Sequence, residues 1–363
     1  MQPMPTDSCT RRSSNLPVFP PMQAGDFEEI IFVQNRHAGL KAIICIHSTH
    51  LGPAHGGIRR LAYQSEAGAL ADVMRLAWAM SRKTAMAGIP AGGGKAVIID
   101  HPGLRRHAGY EALGCAIDKL GGRFYTGPDV GTTEADLAAV RRHTSFVVEA
   151  QTGSGPGDIA EATARGVIAS IRATLQFLYS NHSPAGHRFA IQGLGAIGAR
   201  VGEWLWSSGA ELSVAEIDTA KLRRWRGRPR VRVVPPDRIL ATACDILSPC
   251  ALGGVISTRT TLNCRAVVGA ANNPLADDTA ALALHKRGIL FAPDFVVNAG
   301  GVIEGAGRHL GFADKTAEAI ERIGDTLLTI YRRARRAKQP PYAVALTMAD
   351  KRLRSGRGPA GRS

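Results

Sequence analysis

The sequence predicts an α/β protein of two domains, an N-terminal α/β domain followed by a doubly wound one. Three observations carry this. At 363 residues the chain exceeds what one ordinary core organises. Strand-like and helix-like apolar patterns alternate through the first 145 residues. A second alternating series then begins near Phe189, around a glycine-rich turn, which is the mark of a further α/β unit.

In order along the chain, residues 1–25 are rich in Pro, Ser and Thr without the apolar run of a secretory signal, and read as a disordered leader. The runs Ile30–Val33 and Ala42–Ile46, separated by Asn35 to Gly39, read as two strands joined by a turn. From Ser65 to Met80 the residues Leu70, Val73, Met74 and Ala77 share one helical face, with Glu66 and Asp72 off it. Val97–Ile99 is a further strand, and helical patterns follow at Tyr110–Lys119 and Thr133–Arg142. Thr152–Gly157 breaks the alternation and marks the boundary, giving a first domain over 26–150 and a second over 151–324. Ile159–Leu178 reads as a long helix. The helical stretch from Ala317 onward returns to complete the first domain through about 325–355, leaving 356–363 as a basic tail.

The second series opens with a short strand at Phe189, the turn Gly193-Leu-Gly195-Ala196-Ile197-Gly198, and an amphipathic helix. G-x-G-x-x-G alone is a weak signal. Here a strand precedes it, a helix follows, and Glu216 stands at the end of the next strand, Leu212–Ala215, which together form a dinucleotide fingerprint. The glycines allow the tight turn and set the pyrophosphate on the helix N-terminus. Glu216 would accept from a ribose 2′-OH and repel a 2′-phosphate, favouring NAD. Arg223 and Arg224 lie close enough in sequence to offset part of that preference.

A second informative stretch runs from Ser81 to Lys95, in which two lysines flank a segment that ends in three glycines. Only nine of the 45 basic residues are Lys, so Lys83 and Lys95 stand out. A partly buried lysine can release its proton near neutrality, whereas arginine cannot. Gly92–Gly94 would let backbone approach a ligand and leave N–H groups free for an anion. The alternative is a flexible loop with two solvated lysines. The spacing excludes a nucleotide P-loop, which would need Gly at Ile89 and Ser or Thr at Ala96.

Composition narrows the partners. The net charge of +15 raises nucleic acid, with basic runs at Lys221–Arg232, Arg332–Lys338 and the tail, but the tail reads as a solvated end without the interleaved aromatics of a single-strand binder. No apolar run is long enough to span a membrane. Six scattered cysteines without a C-x-x-C pair read as reduced, mostly buried thiols of a cytoplasmic protein, with no metal site.

Read together, Leu51–Arg59, Arg82–Gly88, Gly92–Val97, Thr126–Thr132, the fingerprint, Ser248–Leu252, Gly269–Leu275 and Pro293–Gly301 resemble the Glu/Leu/Phe/Val dehydrogenase family, nearer its leucine and phenylalanine branches. The resemblance covers roughly residues 27–355. It implies reversible NAD-linked oxidative deamination of an L-amino acid to its 2-oxo acid and ammonia, in a homo-oligomer. By the same resemblance Lys83 holds the substrate carboxylate, Lys95 activates the attacking water and Asp129 shuttles protons. Gly56 and Gly57 leave room for the substrate, Thr163 lies near the nicotinamide, and Asn272 or Asn273 and Asn298 border it. Each asparagine also reads as a turn residue capping its own backbone.

Departures from the family pattern bear on the side chain. His55 stands where glutamate dehydrogenases place a lysine and leucine dehydrogenases an aliphatic residue, which argues against glutamate; the alternative is that His55 turns outward. Gly127 and Gly305 match small aliphatic residues of the leucine pocket, which Val302 also lines, and the missing methyl groups enlarge it. A bulky aromatic substrate, phenylalanine or tryptophan, is expected, with a leucine/valine-type substrate as the alternative. A catalytically silent NAD-binding regulatory homologue is the alternative of another class.

Overall fold

The structure, a computed structural model, describes residues 18–148, 158–251 and 253–356. The expected boundary at Thr152–Gly157, the leader up to residue 17 and the tail from residue 357 lie outside the described residues. Within the expected disordered leader, Phe19–Gly25 is instead a helix, α1. Prolines occupy its first turn, where no N–H is needed, and Met22 packs into the core beneath.

The first half continues with β1 (Glu29–Asn35), β2 (Leu40–Ser48), β3 (Ala54–His55), β4 (Ile58–Leu61), α2 (Glu66–Ala87), β5 (Gly92–Ile99), α3 (Arg106–Asp118), β6 (Phe124–Tyr125) and α4 (Glu134–Arg141). The sheet runs β1-β2-β5-β3-β6, with β4 also on β5. β2 is antiparallel to β5, and β3 and β4 are parallel to it. Alternate residues of β2 and β5 serve two cores: Ile43, Cys45 and Val97 face α2, whereas Ile44, Ile46, Ala96 and Ile98 face α3 and α4. Lys95 shares the parity of Val97. It therefore points to the side on which α2 lies.

Two expectations are corrected here. Gly92–Gly94 is not an anion-binding loop but the opening of the central strand, paired to Ser48, Ile46, Ala54 and His55. A Cβ would lie 1.9 Å from the Ser48 carbonyl oxygen at Gly92, 2.0 Å from the Ser81 nitrogen at Gly93 and 2.9 Å from the Phe124 ring at Gly94. The glycines thus answer crowding between strand and helix. In addition, α2 runs past Met80 to Ala87, closed by Gly88 in the left-handed region at φ 71°. The polar run after Met80 is buried with its hydroxyls satisfied: His47 Nδ1 meets Ser81 Oγ at 2.8 Å, and Thr84 donates to the Met80 and Ser81 carbonyls. Cys115 on α3 is exposed, contrary to the expectation for most thiols, while Cys45 and Cys244 are buried.

The second half has α5 (Ile159–Tyr179), β7 (Arg188–Gln192), α6 (Ala196–Ser207), β8 (Glu211–Ala215), α7 (Thr219–Leu222), β9 (Val231–Val233), β10 (Ile246–Pro249), β11 (Ala266–Val267), α8 (Asp278–Lys286) and β12 (Leu290–Phe291). Its strands are all parallel in the order β12-β11-β10-β7-β8-β9. Read from β7, this is the doubly wound 3-2-1-4-5-6 arrangement, whose order reverses between β7 and β10 and opens a crevice there. Then come α9 (Asp294–Val297), α10 (Gly300–His309), α11 (Thr316–Ala337) and α12 (Pro341–Ser355). α11 packs along α5, and α12 along α2. Arg82 on α2 pairs with Asp350 at 2.7 Å, and Arg352 Nη1 donates to the last α2 carbonyls, Ala85 at 2.9 Å and Met86 at 3.1 Å.

Candidate active site

A cavity of about 240 Å³ lies between the two sheets, lined from the first half by His55, Gly56, Gly57, Lys83, Lys95, Gly127 and Asp129. From the second half come Thr163, Ile197, Asn272, Asn298, Val302 and Gly305. Residues expected from sequence to act together are therefore assembled from both halves. Asn273 is not among them: it occupies a left-handed turn at φ 47°, and its N–H donates to Asp294 Oδ2 at 2.8 Å.

At one end Lys95 Nζ lies 2.9 Å from Asp129 Oδ2. Arg59 Nε also reaches that oxygen at 2.9 Å, and Arg59 Nη1 reaches Asp72 Oδ2 at 3.0 Å. Asp72 is held further by Tyr63 at 2.8 Å and Arg75 at 2.7 Å. Arg59 comes from β4, opposite Val97, and so from the face that carries Lys95. Sequence reading missed Arg59, Asp72 and Tyr63, although Arg59 ends a motif it had singled out. Burial lowers the Lys95 pKa and Asp129 opposes it. Burial works against the Asp129 carboxylate, yet Lys95 and Arg59 outweigh it and hold the group below the usual carboxylate range.

Lys83 projects from α2 across the cleft and donates to Asn272 Oδ1 at 3.1 Å, an oxygen that also accepts from Asn298 Nδ2 at 2.9 Å. Burial brings Lys83 down to about 8, with Asp294 resisting and Lys95 adding to the fall. Asp294, also missed from sequence, is thus the charge facing Lys83. Among the described residues, two buried polar atoms lining the cleft have no hydrogen-bond partner, Asn298 Oδ1 and Thr126 Oγ1. Buried polar atoms are seldom left so, and both suit a polar ligand.

At the other end His55 turns inward and is buried. Its Nδ1 meets the Pro53 carbonyl at 2.8 Å and its Nε2 meets His309 Nε2 at 2.5 Å. Burial lowers its pKa to about 4. The expectation that Gly56 and Gly57 make room for substrate is corrected. A Cβ at Gly56 would sit 1.8 Å from the Gly94 carbonyl oxygen, and one at Gly57 2.4 Å from that of Pro128; both glycines are required by neighbouring backbone. The enlargement expected from Gly127 and Gly305 is offset by Val148. Its Cγ1 lies 2.8 Å from where a Gly305 Cβ would be, and its Cβ 3.6 Å from that of Gly127.

The fingerprint turn adjoins this cavity through Ile197. Gly193 has φ 91°, and a Cβ on Gly198 would strike the Gly193 carbonyl oxygen at 2.1 Å, so the third glycine lets α6 close over the turn. Among the described residues Gly195 begins α6 without a side-chain cap, Ala196 is its first residue, and a Cβ at Gly195 would meet nothing within 4 Å. The first N–H groups are thus left for an anion. Glu216 Oε2 accepts from Leu194 N at 2.7 Å, while Oε1 accepts from Ile217 and Asp218 N at 2.8 and 3.1 Å. Burial opposes its ionisation, and these N–H groups overcome it. Thr163 uses its hydroxyl proton on the Ile159 carbonyl at 2.7 Å.

A family model described as Glu/Leu/Phe/Val dehydrogenase, dimerisation domain, matches residues 28–146, and one described as Glutamate/Leucine/Phenylalanine/Valine dehydrogenase matches 209–307. The chain is 38% identical over 341 residues to a leucine dehydrogenase of Thermoactinomyces intermedius, covering 93% of each. It is 42% identical over 318 residues to a phenylalanine dehydrogenase of Lysinibacillus sphaericus, covering 85% of this chain and 83% of that one. The crystal structure of L-tryptophan dehydrogenase from Nostoc punctiforme superposes with a TM-score of 0.82 at 35% identity, over 93% of this chain and 98% of its own.

Proposed function

From the premise that this chain belongs to the Glu/Leu/Phe/Val dehydrogenase family, and so is an amino-acid dehydrogenase working with a nicotinamide cofactor, we propose that it oxidatively deaminates an aromatic L-amino acid, phenylalanine or tryptophan, with NAD. The observation that carries the reaction is the Lys95–Asp129 pair at 2.9 Å, facing Lys83 across one cavity. The observation that supports an aromatic side chain is the flat His55 ring in the cavity wall.

The uncapped α6 N-terminus and the room above Gly195 fit a pyrophosphate, and Glu216 at the end of β8 fits a ribose hydroxyl better than a phosphate. A nicotinamide dinucleotide held by the Gly193–Gly198 turn and Glu216 would supply the hydride acceptor for the substrate Cα. The chain's own residues do the rest. Lys83 receives the α-carboxylate, giving up its bond to Asn272. Lys95, made less basic by burial, takes a proton from the water that attacks the substrate iminium carbon. Asp129, held ionised and aimed at Lys95 by Arg59, takes from Lys95 the proton won from water and passes it to the departing nitrogen, returning to its carboxylate form.

A branched-chain substrate is the second reading, favoured by Val148 in the space released by the two glycines. A silent cofactor-binding homologue accords poorly with the Lys95–Asp129 geometry. The exposed Phe32 on edge strand β1 suits a homo-oligomer. Among the described residues no helix is long and apolar enough to cross a membrane. The deciding experiment is NADH formation from Phe, Trp, Tyr, Leu, Val and Glu with each of NAD and NADP. Turnover of Phe or Trp with NAD supports the proposal; faster turnover of Leu or Val keeps the mechanism and removes the aromatic assignment. A folded protein that binds NADH and oxidises none of the panel refutes it.

A further inference from the structure

His309, at the C-terminal end of α10, is not among the residues lining the cavity, yet it contacts one that is. The His55 and His309 ring centroids are 4.8 Å apart with 15° between planes, and the two Nε2 atoms are 2.5 Å apart. Such short nitrogen contact with nearly parallel planes puts the rings edge to edge rather than face to face. The Tyr125 ring lies parallel to both, 5.2 Å from His55 at 4° and 4.5 Å from His309 at 13°. The result is a flat two-ring plate backed by a phenol, with His55 reaching the substrate cavity.

Tautomers follow from the partners. The Pro53 carbonyl can only accept, so His55 Nδ1 carries the proton and its Nε2 offers a lone pair. His309 also has the Gly305 carbonyl as a partner, and a neutral ring has one N–H for the two, so the tie between the rings belongs to the His309 tautomer that carries its proton on Nε2. His55 is thereby tied at both nitrogens and backed on one face, so its ring cannot turn about χ2 without losing a hydrogen bond. β3 carries His55 and α10 carries His309, so the tie also joins the two sides of the cleft.

We infer that His309 is a positioning residue for substrate choice: it locks the His55 ring with its face toward the side-chain cavity, and through that ring the enzyme favours an aromatic over an aliphatic side chain. The inference deepens the aromatic reading of the same site and rests on it. A locked flat face stacks on a ring at no further entropic cost, while leucine gains little from the orientation.

The test compares wild type, His309→Leu and His309→Gln in kcat/KM for tryptophan, phenylalanine and leucine, with NADH affinity as the check on folding. In His309→Leu the aromatic-to-leucine ratio should fall about five- to tenfold, through KM rather than kcat. His309→Gln keeps an N–H donor for His55 Nε2 and should restore most of the ratio. Nitrogen chemical shifts should report His55 Nε2 as a hydrogen-bonded acceptor in wild type and in His309→Gln, and as an unbonded nitrogen in His309→Leu, with Nδ1 protonated toward Pro53 in all three. An unchanged ratio in His309→Leu, or an equal loss for all three substrates, overturns the inference. A wild type that prefers leucine, but whose ratio still falls in His309→Leu, refutes the aromatic preference alone and leaves the positioning role standing.

Discussion

Val148→Ala isolates the side-chain pocket from the chemistry. Val148 fills the gap that Gly127 and Gly305 leave, and its own N–H is fixed to the Thr126 carbonyl at 2.6 Å, so truncating the side chain should not move the backbone. The change removes two carbons from the wall. At about 0.8 kcal/mol per buried methylene, a larger substrate that enters the space gains roughly 1.6 kcal/mol, a factor of about fifteen in relative kcat/KM. Leucine cannot reach the vacated volume and should lose contact instead. Initial rates of NADH formation with tryptophan, phenylalanine and leucine supply the ratios. A tryptophan-to-leucine ratio that stays within twofold of wild type, or moves toward leucine, would refute the assignment of this end of the cavity to the substrate side chain.

The remaining predictions concern catalysis, cofactor and fold. Lys95→Ala should retain NADH binding and lose turnover by about 10²–10⁴-fold or more; unchanged turnover would exclude Lys95 as the base. Lys95 acts as a neutral amine, so activity should rise with pH through its pKa. The Asp129 carboxylate raises that pKa and Arg59 lowers it, so the residual activity of Asp129→Asn should titrate at lower pH and that of Arg59→Leu at higher pH. Limbs moving the same way would contradict the network. Glu216→Ser should raise the NADP-to-NAD ratio of kcat/KM, which competition between the two cofactors checks. Gly56→Ala forces a methyl group 1.8 Å from the Gly94 carbonyl oxygen and should destabilise the protein by about 1–3 kcal/mol or more, read as a lower urea midpoint.

What could be read from the sequence depended on how locally each feature is encoded. The fingerprint, its strand and its helix are contiguous, and Glu216 follows at a spacing set by one helix and one strand. Lys95 and Asp129 stood out through their motifs. The salt-bridge network did not, because Arg59 and Asp72 meet only when β4 pairs parallel to β5 beneath α2. Gly92–Gly94 misled for the opposite reason. Three glycines look like a loop wherever apolar periodicity is the guide, whereas Ser48 and Ser81, distant in sequence, are what require them. The buried end of α2 was hidden by its own polar side chains, which satisfy one another inside the core. His309 lies 254 residues from His55, and Val148 gives no sign in sequence that it would fill space left by two other residues.

The clamp of α12 on α2 has a consequence for the order in which the enzyme becomes competent. Lys83 sits within one turn of the Ala85 and Met86 carbonyls that Arg352 caps, and the Met86 side chain packs with Val344, Ala345 and Ala349. The residues that finish the carboxylate-binding end of the first half are therefore synthesised long after the rest of it. At about 5–20 residues per second, the span from α4 to the end of α12 takes on the order of ten to forty seconds to synthesise. Throughout that interval a nascent chain already holding Lys95 and Asp129 has an unfinished helix end and an apolar face awaiting its cover. Catalytic competence thus waits for α12, and a chain cut short before that helix is left with an exposed apolar face on α2.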